Sequence, residues 1–266
     1  MSIEKTLALL QRRTARLEPG HVWLAGAGPG DPGCLTLDVA SALMQADALV
    51  YDALVDPAVV AIAEQAELVF VGKRGGQPSI KQDEITAKLI ALARAGRRVL
   101  RLKGGDPYIF GRGGEEALAL AREGIPFRYL PGITAAFGAL GSAGIPPTMR
   151  GLNKAIILAT GHTADHEDEL DWAALARTGQ PIVIYMGLKN LPHIVTSLLA
   201  GGLPAETPAV IIMAATTPRE RIHVATLATI AAEAERLDFG SPALIAIGEI
   251  VSMRAELLQL VSPEVT

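Results

Sequence analysis

Residues 21–32 read HVWLAGAGPGDP: a short apolar run, then three glycines and two prolines within seven residues. A run of this length that ends in a glycine turn reads as a buried strand feeding a loop able to approach a ligand closely. Working outward, Leu35, Val39, Leu43 and Ala46 recur at helical spacing, and residues 48–51 (ALVY) form a second short strand. A brief helix opened by Pro57 leads to a strand at 68–72. Residues 83–95 have two acids in the first turn, a face of Ile85, Leu89 and Leu92, and Gly96 as a stop signal, so they predict a helix. A strand at 98–103, a helix at 115–123 and a strand at 127–130 follow. This alternation calls for a parallel or mixed sheet covered by helices, an α/β fold.

Beyond residue 130 the chain changes character. Residues 129–149 carry no charge, but Pro131, Pro146, Pro147 and four glycines would break a bilayer-spanning helix, and the stretch reads as loop, helix, loop. A second unit starts near Lys154. Its short β-branched runs at 155–161, 181–187, 208–215 and 241–248 predict strands, with helices at 171–177, 191–199 and 227–236. The expected division is an extension at 1–20, an α/β domain at 21–150, a second α/β domain at 151–260 and a tail at 261–266.

Composition limits the function classes. Half of the 266 residues are hydrophobic, which excludes a disordered chain, while only 4% are aromatic. The net charge is −4 and uneven: residues 1–154 hold 18 Lys and Arg against 15 Asp and Glu, and the remainder 6 against 13. An acidic protein poor in aromatics argues against nucleic-acid binding, but its basic first half allows a site for a small polyanion. Arg97, Arg98, Arg101 and Lys103, and separately Lys73 and Arg74, are candidates for it or for a solvated face. A single cysteine, Cys34, cannot form an internal disulfide, and the N-terminal stretch lacks the order of a secretory signal. The expectation is a cytoplasmic protein with no membrane partner.

Three loops could carry chemistry. In AGAGPGDP (25–32) the third glycine of a dinucleotide fingerprint is replaced by Asp31, and Pro29 removes an amide, so a glycine turn remains but NAD binding does not. RLKGGDPYIFGRGGEE (101–116) places five glycines at a strand exit: Gly104 and Gly105 would let a ligand lie on main chain, and Asp106 could accept its hydrogen bonds. In YDALVD (51–56), Asp56 precedes Pro57 as a natural helix cap, whereas Asp52 stands past a strand as either acid/base group or turn residue. His162 and His166 have i,i+4 spacing within a polar stretch and no cysteine cluster beside them, so no metal site is expected.

Taken in order, AGAGPGDP, YDALV, VGKRGG, RLKGGDPYIFGRGGEE, PGITAA, GIPPTMRG, YMGL and SPALIAIGE resemble the tetrapyrrole methylase superfamily, and within it the branch that methylates uroporphyrinogen III. The resemblance implies two α/β domains, a homodimer, and S-adenosyl-L-methionine held in a cleft between the domains, with S-adenosyl-L-homocysteine as product. It implies methylation of two pyrrole carbons, C2 and C7, giving precorrin-2 by way of precorrin-1 for sirohaem or cobalamin. By position it assigns Pro29, Gly104, Gly105, Asp106, Ile109, Thr134, Ala135, Met186 and Ala215 to the cofactor. It makes Asp52 the proton acceptor, Lys73 the proton donor and Arg112 a residue of substrate handling. One departure stands out: Met149 occupies a position where the superfamily usually has histidine, which removes any acid/base task there. A later precorrin methylase, such as the precorrin-4 enzyme, is the alternative; a diphthine- or RNA-type relative, an NAD oxidoreductase and a non-catalytic cofactor sensor are more remote ones.

Overall fold

Strand β1 (Val22–Gly26) is buried along its whole length and forms the axis of the first unit. The computed structural model describes residues 15–72, 80–162 and 170–260. Helix α1 (Leu37–Gln45) starts where the Thr36 hydroxyl accepts from the Val39 N–H, and leads to β2 (Ala48–Tyr51). Helix α2 (Pro57–Val60) is opened by Asp56, whose carboxylate accepts from the Ala58 N–H at 2.8 Å, the cap expected from the Asp-Pro pair. Then come β3 (Glu67–Phe70), α3 (Gln82–Arg94), β4 (Val99–Lys103), α4 (Gly113–Arg122) and β5 (Phe127–Leu130).

These strands form one all-parallel sheet in the order β3-β2-β4-β1-β5. Side-chain alternation gives it two apolar faces. On one, Trp23, Ala25, Leu49, Leu100 and Leu102 pack against Val39, Leu43 and Val59 of α1 and α2. On the other, Val22, Leu24, Val50 and Val99 pack against Ile85, Leu89, Ala117 and Leu120 of α3 and α4. The helices that follow the neighbouring strands β1 and β4 thus cover opposite faces. The loops leading to them start side by side at the carboxyl ends of these strands, the place where open α/β sheets bind ligands.

The second unit begins with α5 (Ala135–Ser142) and continues through β6 (Ile157–Thr160), α6 (Trp172–Ala176), β7 (Ile182–Tyr185), α7 (Leu191–Ala200), β8 (Pro208–Met213), β9 (Arg221–Thr226), α8 (Ile230–Arg236), β10 (Ala243–Ile247) and α9 (Met253–Leu260). Its sheet runs β6-β7-β10-β8-β9; only the β6–β7 pair is parallel. Ile182, Ile184, Ile211 and Ile245 meet Trp172, Ile194, Leu198 and Ile230 in its core. Edge strand β9 and helix α9 have no counterpart in the sequence reading. The chain divides into compact units at Ala135/Ala136, ahead of the 150/151 boundary read from the sequence. The Ala136 N–H donates to the Tyr185 hydroxyl at 3.0 Å and the Arg254 guanidinium to the Ala143 carbonyl, which fasten α5 and its exit to the second unit. Among the described residues no helix is long and apolar enough to cross a membrane.

Candidate active site

The loops after β1, β4 and β5 cross with their backbones in contact. Gly105 donates to the Gly28 carbonyl at 2.6 Å and Gly28 returns a bond to Gly105 at 3.2 Å; Ala27 donates to the Lys103 carbonyl at 2.7 Å. A Cβ at Gly26 would stand 2.5 Å from the Gly105 oxygen and 2.6 Å from the Gly132 nitrogen, so the crossing has no room for a side chain. Gly105 also has φ +67°, which favours glycine. The first reading of these glycines, close approach to a ligand, is joined here by close approach to one another.

Asp106 ties the crossing together. Its Oδ1 accepts from the Tyr108 N–H at 2.8 Å, and its Oδ2 accepts from the Tyr129 hydroxyl at 2.5 Å and the Gly132 N–H at 3.2 Å. Among the described residues these bonds use three of about four lone-pair positions, which leaves Oδ1 room for one further donor. Burial, with help from the Asp106 hydrogen bond and charge, pushes the Tyr129 phenol above its usual range, so it remains a donor. Tyr108 stacks on Tyr129 at a centroid distance of 4.2 Å. Pro29 and Ala135 are half-buried nearby in sequence to these glycines, Thr134 is buried and Ile109 is exposed.

Asp52 stands just beyond β2, at the same carboxyl edge of the parallel sheet. Its Oδ1 accepts from the Leu54 N–H at 3.1 Å, and its Oδ2 lies 3.7 Å from an Arg101 nitrogen. Gly104 packs under the same turn, where an added Cβ would come within 2.7 Å of Leu54 Cβ. The Asp52 side chain keeps 24% of its surface exposed while Arg101 keeps 3%, so the carboxylate reaches solvent from a buried cationic support.

The cationic cluster of the sequence reading separates into two. Arg97 and Arg98 sit before β4, at the far end from the glycines, paired with Glu67 at 3.3 Å and Asp47 at 2.7 Å. Arg101 and Lys103 are inside the strand, buried against Glu116. Neither pair forms an open cationic face, because each has carboxylate partners. Sequence reasoning missed Glu116; the signal was the strand VLRLK itself, which puts Arg101 and Lys103 on one side of a strand buried on both faces.

Arg112 occupies a left-handed position (φ 59°) before α4, more than half exposed. Both its Nε and its terminal nitrogen bond Glu115, at 2.9 and 2.6 Å, and the Glu115 hydrogen bond raises its pKa. Lys73, Arg74 and His166 lie outside the described residues. Among those described, no group of three His, Cys, Asp or Glu could hold a metal.

In the second unit, Met186 follows β7 with φ 53° and is exposed, while Ala214 (φ 49°) and Thr216 (φ 64°) flank the buried Ala215 after β8. β7 and β8 both run antiparallel to β10, so these turns share one edge of the second sheet. Left-handed non-glycine residues cost roughly 1–2 kcal/mol each, and their clustering is typical of ligand-binding turns.

Comparison with known proteins supplies the lineage. Residues 21–231 match the family described as Tetrapyrrole (Corrin/Porphyrin) Methylases. A uroporphyrinogen-III C-methyltransferase of Sinorhizobium is 48% identical over 244 residues, covering 91% of this chain and 87% of that protein. A siroheme synthase of Methylobacillus flagellatus is 47% identical over 94% of this chain, which spans only 54% of it. The crystal structure of a Thermus thermophilus uroporphyrin-III C-methyltransferase complexed with S-adenosyl homocysteine superposes with a TM-score of 0.76 at 39% identity, over 87% of this chain and 99% of that one. That of a cobalt precorrin-4 methyltransferase gives 0.78 at 26% identity, over 87% and 96%. On these residues and this fold, the chain belongs to the tetrapyrrole (corrin/porphyrin) methylases and is a methyltransferase.

Proposed function

We propose that the chain transfers methyl groups from S-adenosyl-L-methionine to C2 and C7 of uroporphyrinogen III, giving precorrin-2 by way of precorrin-1, for sirohaem or cobalamin synthesis. The observation that carries this reading is Asp52, a partly exposed carboxylate backed by a buried arginine, on the same sheet edge as the glycine crossing. The residues present fit the cofactor. Gly104 and Gly105 offer main chain without side chains, Pro29, Ile109 and Ala135 offer apolar contact, and Thr134 offers a hydroxyl. The resemblance also assigns Met186 and Ala215 to the cofactor. When bound, the cofactor supplies a methyl group already activated on a sulfonium sulfur.

The protein's own work is then alignment and proton removal. A reduced pyrrole carbon is a competent nucleophile, and after it gains a methyl it must lose a proton. Asp52 receives that proton, and Arg101 holds the carboxylate in place for it. Arg112 is the proposed grip on a substrate carboxylate; its planar fork already binds Glu115 through two bonds, the geometry a carboxylate ligand would borrow. Lys73 is the proposed proton donor. The resemblance also supports a homodimer, and the single, unpaired Cys34 suits a reducing cytoplasm.

A later precorrin methyl transfer is the second reading, favoured by the slightly higher TM-score of the cobalt precorrin-4 enzyme; the 48% identity to the uroporphyrinogen-III enzyme outweighs it. An anaerobic assay with uroporphyrinogen III and the methyl donor separates them by product mass: a gain of two methyl groups supports the first reading, and gain only on a precorrin-4 substrate supports the second. Asp52→Asn should lower turnover about 100-fold or more while leaving donor affinity unchanged by calorimetry; unchanged turnover removes Asp52 from the chemistry.

A further inference from the structure

Two cations lie inside the first unit where apolar side chains would suffice. Arg101 and Lys103 project to the face covered by α3 and α4, two residues apart on a strand with neighbours on both sides. Their side chains are 3% and 6% exposed, and Glu116 of α4, between them, is wholly buried. One oxygen of Glu116 receives all three neighbouring donors: Arg101 Nε at 3.1 Å, Lys103 Nζ at 3.3 Å and Gln82 Nε2 at 3.0 Å. Among the described residues, the other oxygen is buried without a hydrogen-bond partner.

This is a poor way to fasten a helix to a sheet, since apolar residues of similar volume would do so without the desolvation of three charges. The charges have another use. Arg101 reaches Asp52 at 3.7 Å, and Lys103 also lies within electrostatic range of it. Two positive charges thus bear on Asp52, and Glu116 cancels one. Without Glu116 the ionised form of Asp52 would be over-stabilised, and a carboxylate so held is a weak proton acceptor. Without Lys103 the charge behind Asp52 would sum to zero, and the ionised form would be stabilised less than in the parent.

We infer that Glu116 is a positioning residue for methyl transfer: acting through Arg101 and Lys103, it sets how readily Asp52 accepts the proton released from the methylated pyrrole. The inference rests on the reading of Asp52 as proton acceptor. Among the described residues, the charged groups facing Asp52 are Arg101 and Lys103 from β4, with Glu116 behind them on α4 and neutral Gln82 on α3. Arg112, whose charge also reaches Glu116 and Asp83, is held by Glu115. Burial, reinforced by Arg101, pulls the Lys103 ammonium below its usual range, as expected of a cation short of counter-charge.

The test is the pH dependence of single-turnover methyl transfer in the intact enzyme, Glu116→Gln, Lys103→Met and the double variant. In Glu116→Gln the acid limb moves to lower pH by about one unit and the plateau rate falls about tenfold. In Lys103→Met the limb moves to higher pH, and the double variant returns it to the parent position. Loss of packing alone does not produce shifts of opposite sign. Donor affinity stays within about twofold in all four proteins. Limbs that coincide, or that move in the same direction, overturn the inference. If Glu116→Gln does not fold, Lys103→Met alone decides, and an unmoved limb overturns it. Failure of the parent enzyme to methylate uroporphyrinogen III sinks the functional reading and this inference with it. A parent enzyme that works, loses activity in Asp52→Asn and shows unmoved limbs in the other variants sinks this inference alone.

Discussion

A methyl group added at Gly132 would overlap the Gly105 carbonyl and stand 2.7 Å from Gly26 Cα, whereas one added at Gly114 would meet nothing within 4 Å. Both obstacles at Gly132 are backbone and cannot swing aside. Gly132→Ala should therefore cost about 2 kcal/mol and weaken donor binding. Gly114→Ala, in the first turn of α4, should be neutral or stabilise by about 0.5–1 kcal/mol. Urea denaturation midpoints check both, and a silent Gly132→Ala would mean that the loops have more slack than their contacts suggest. At this scale the sequence was legible wherever a residue acts through its own neighbours. Asp56 could be identified as a cap because the cap and the capped N–H are two residues apart. Arg101 and Lys103 could not be placed, since their partner Glu116 comes from a different element and sequence spacing does not show which face of a strand meets it.

The junction between α1 and β2 is clamped to the start of β4 by Asp47 and Arg98, which share two side-chain hydrogen bonds at 3.0 and 2.7 Å and a backbone bond at 2.9 Å. The Arg98 hydrogen bond lowers the Asp47 pKa from 3.8 to about 2. Because the folded value is the lower one, the clamp contributes fully above the unfolded value and its contribution is lost as pH falls toward about 2. Both side chains are partly exposed, so solvent screening reduces the contribution to roughly 1 kcal/mol. Asp47→Asn should lower stability by about this amount at pH 7 and by almost nothing near pH 2, measured by denaturant titration at both. A constant deficit across that range would show that the charge is irrelevant. Among the elements, β2 and β5 match the sequence reading residue for residue, because each is a short run bounded by polar or proline signals. Strand β9 was hidden: Arg221 and His223 interrupt its apolar pattern, and its pairing with β8 is what makes it a strand. Helix α9 has only Met253 buried, so it lacks the apolar stripe that periodicity detects.

For the molecule as a whole, the two units use sheets of different character, one all-parallel and one mixed, and each was foreseen as α/β from its alternation of short runs and helices. What the alternation did not contain was strand order. Among the described residues β1 pairs only with β4 and β5, in register with Val99–Lys103 and with residues 127–130. β1 therefore has no partner strand until roughly 75 further residues, those reaching β4, have been synthesised, and both of its edges are covered only once β5 follows. During that interval its apolar side chains and unpaired backbone must be kept apart from other nascent chains, so the centre of the finished sheet is open to mispairing during translation.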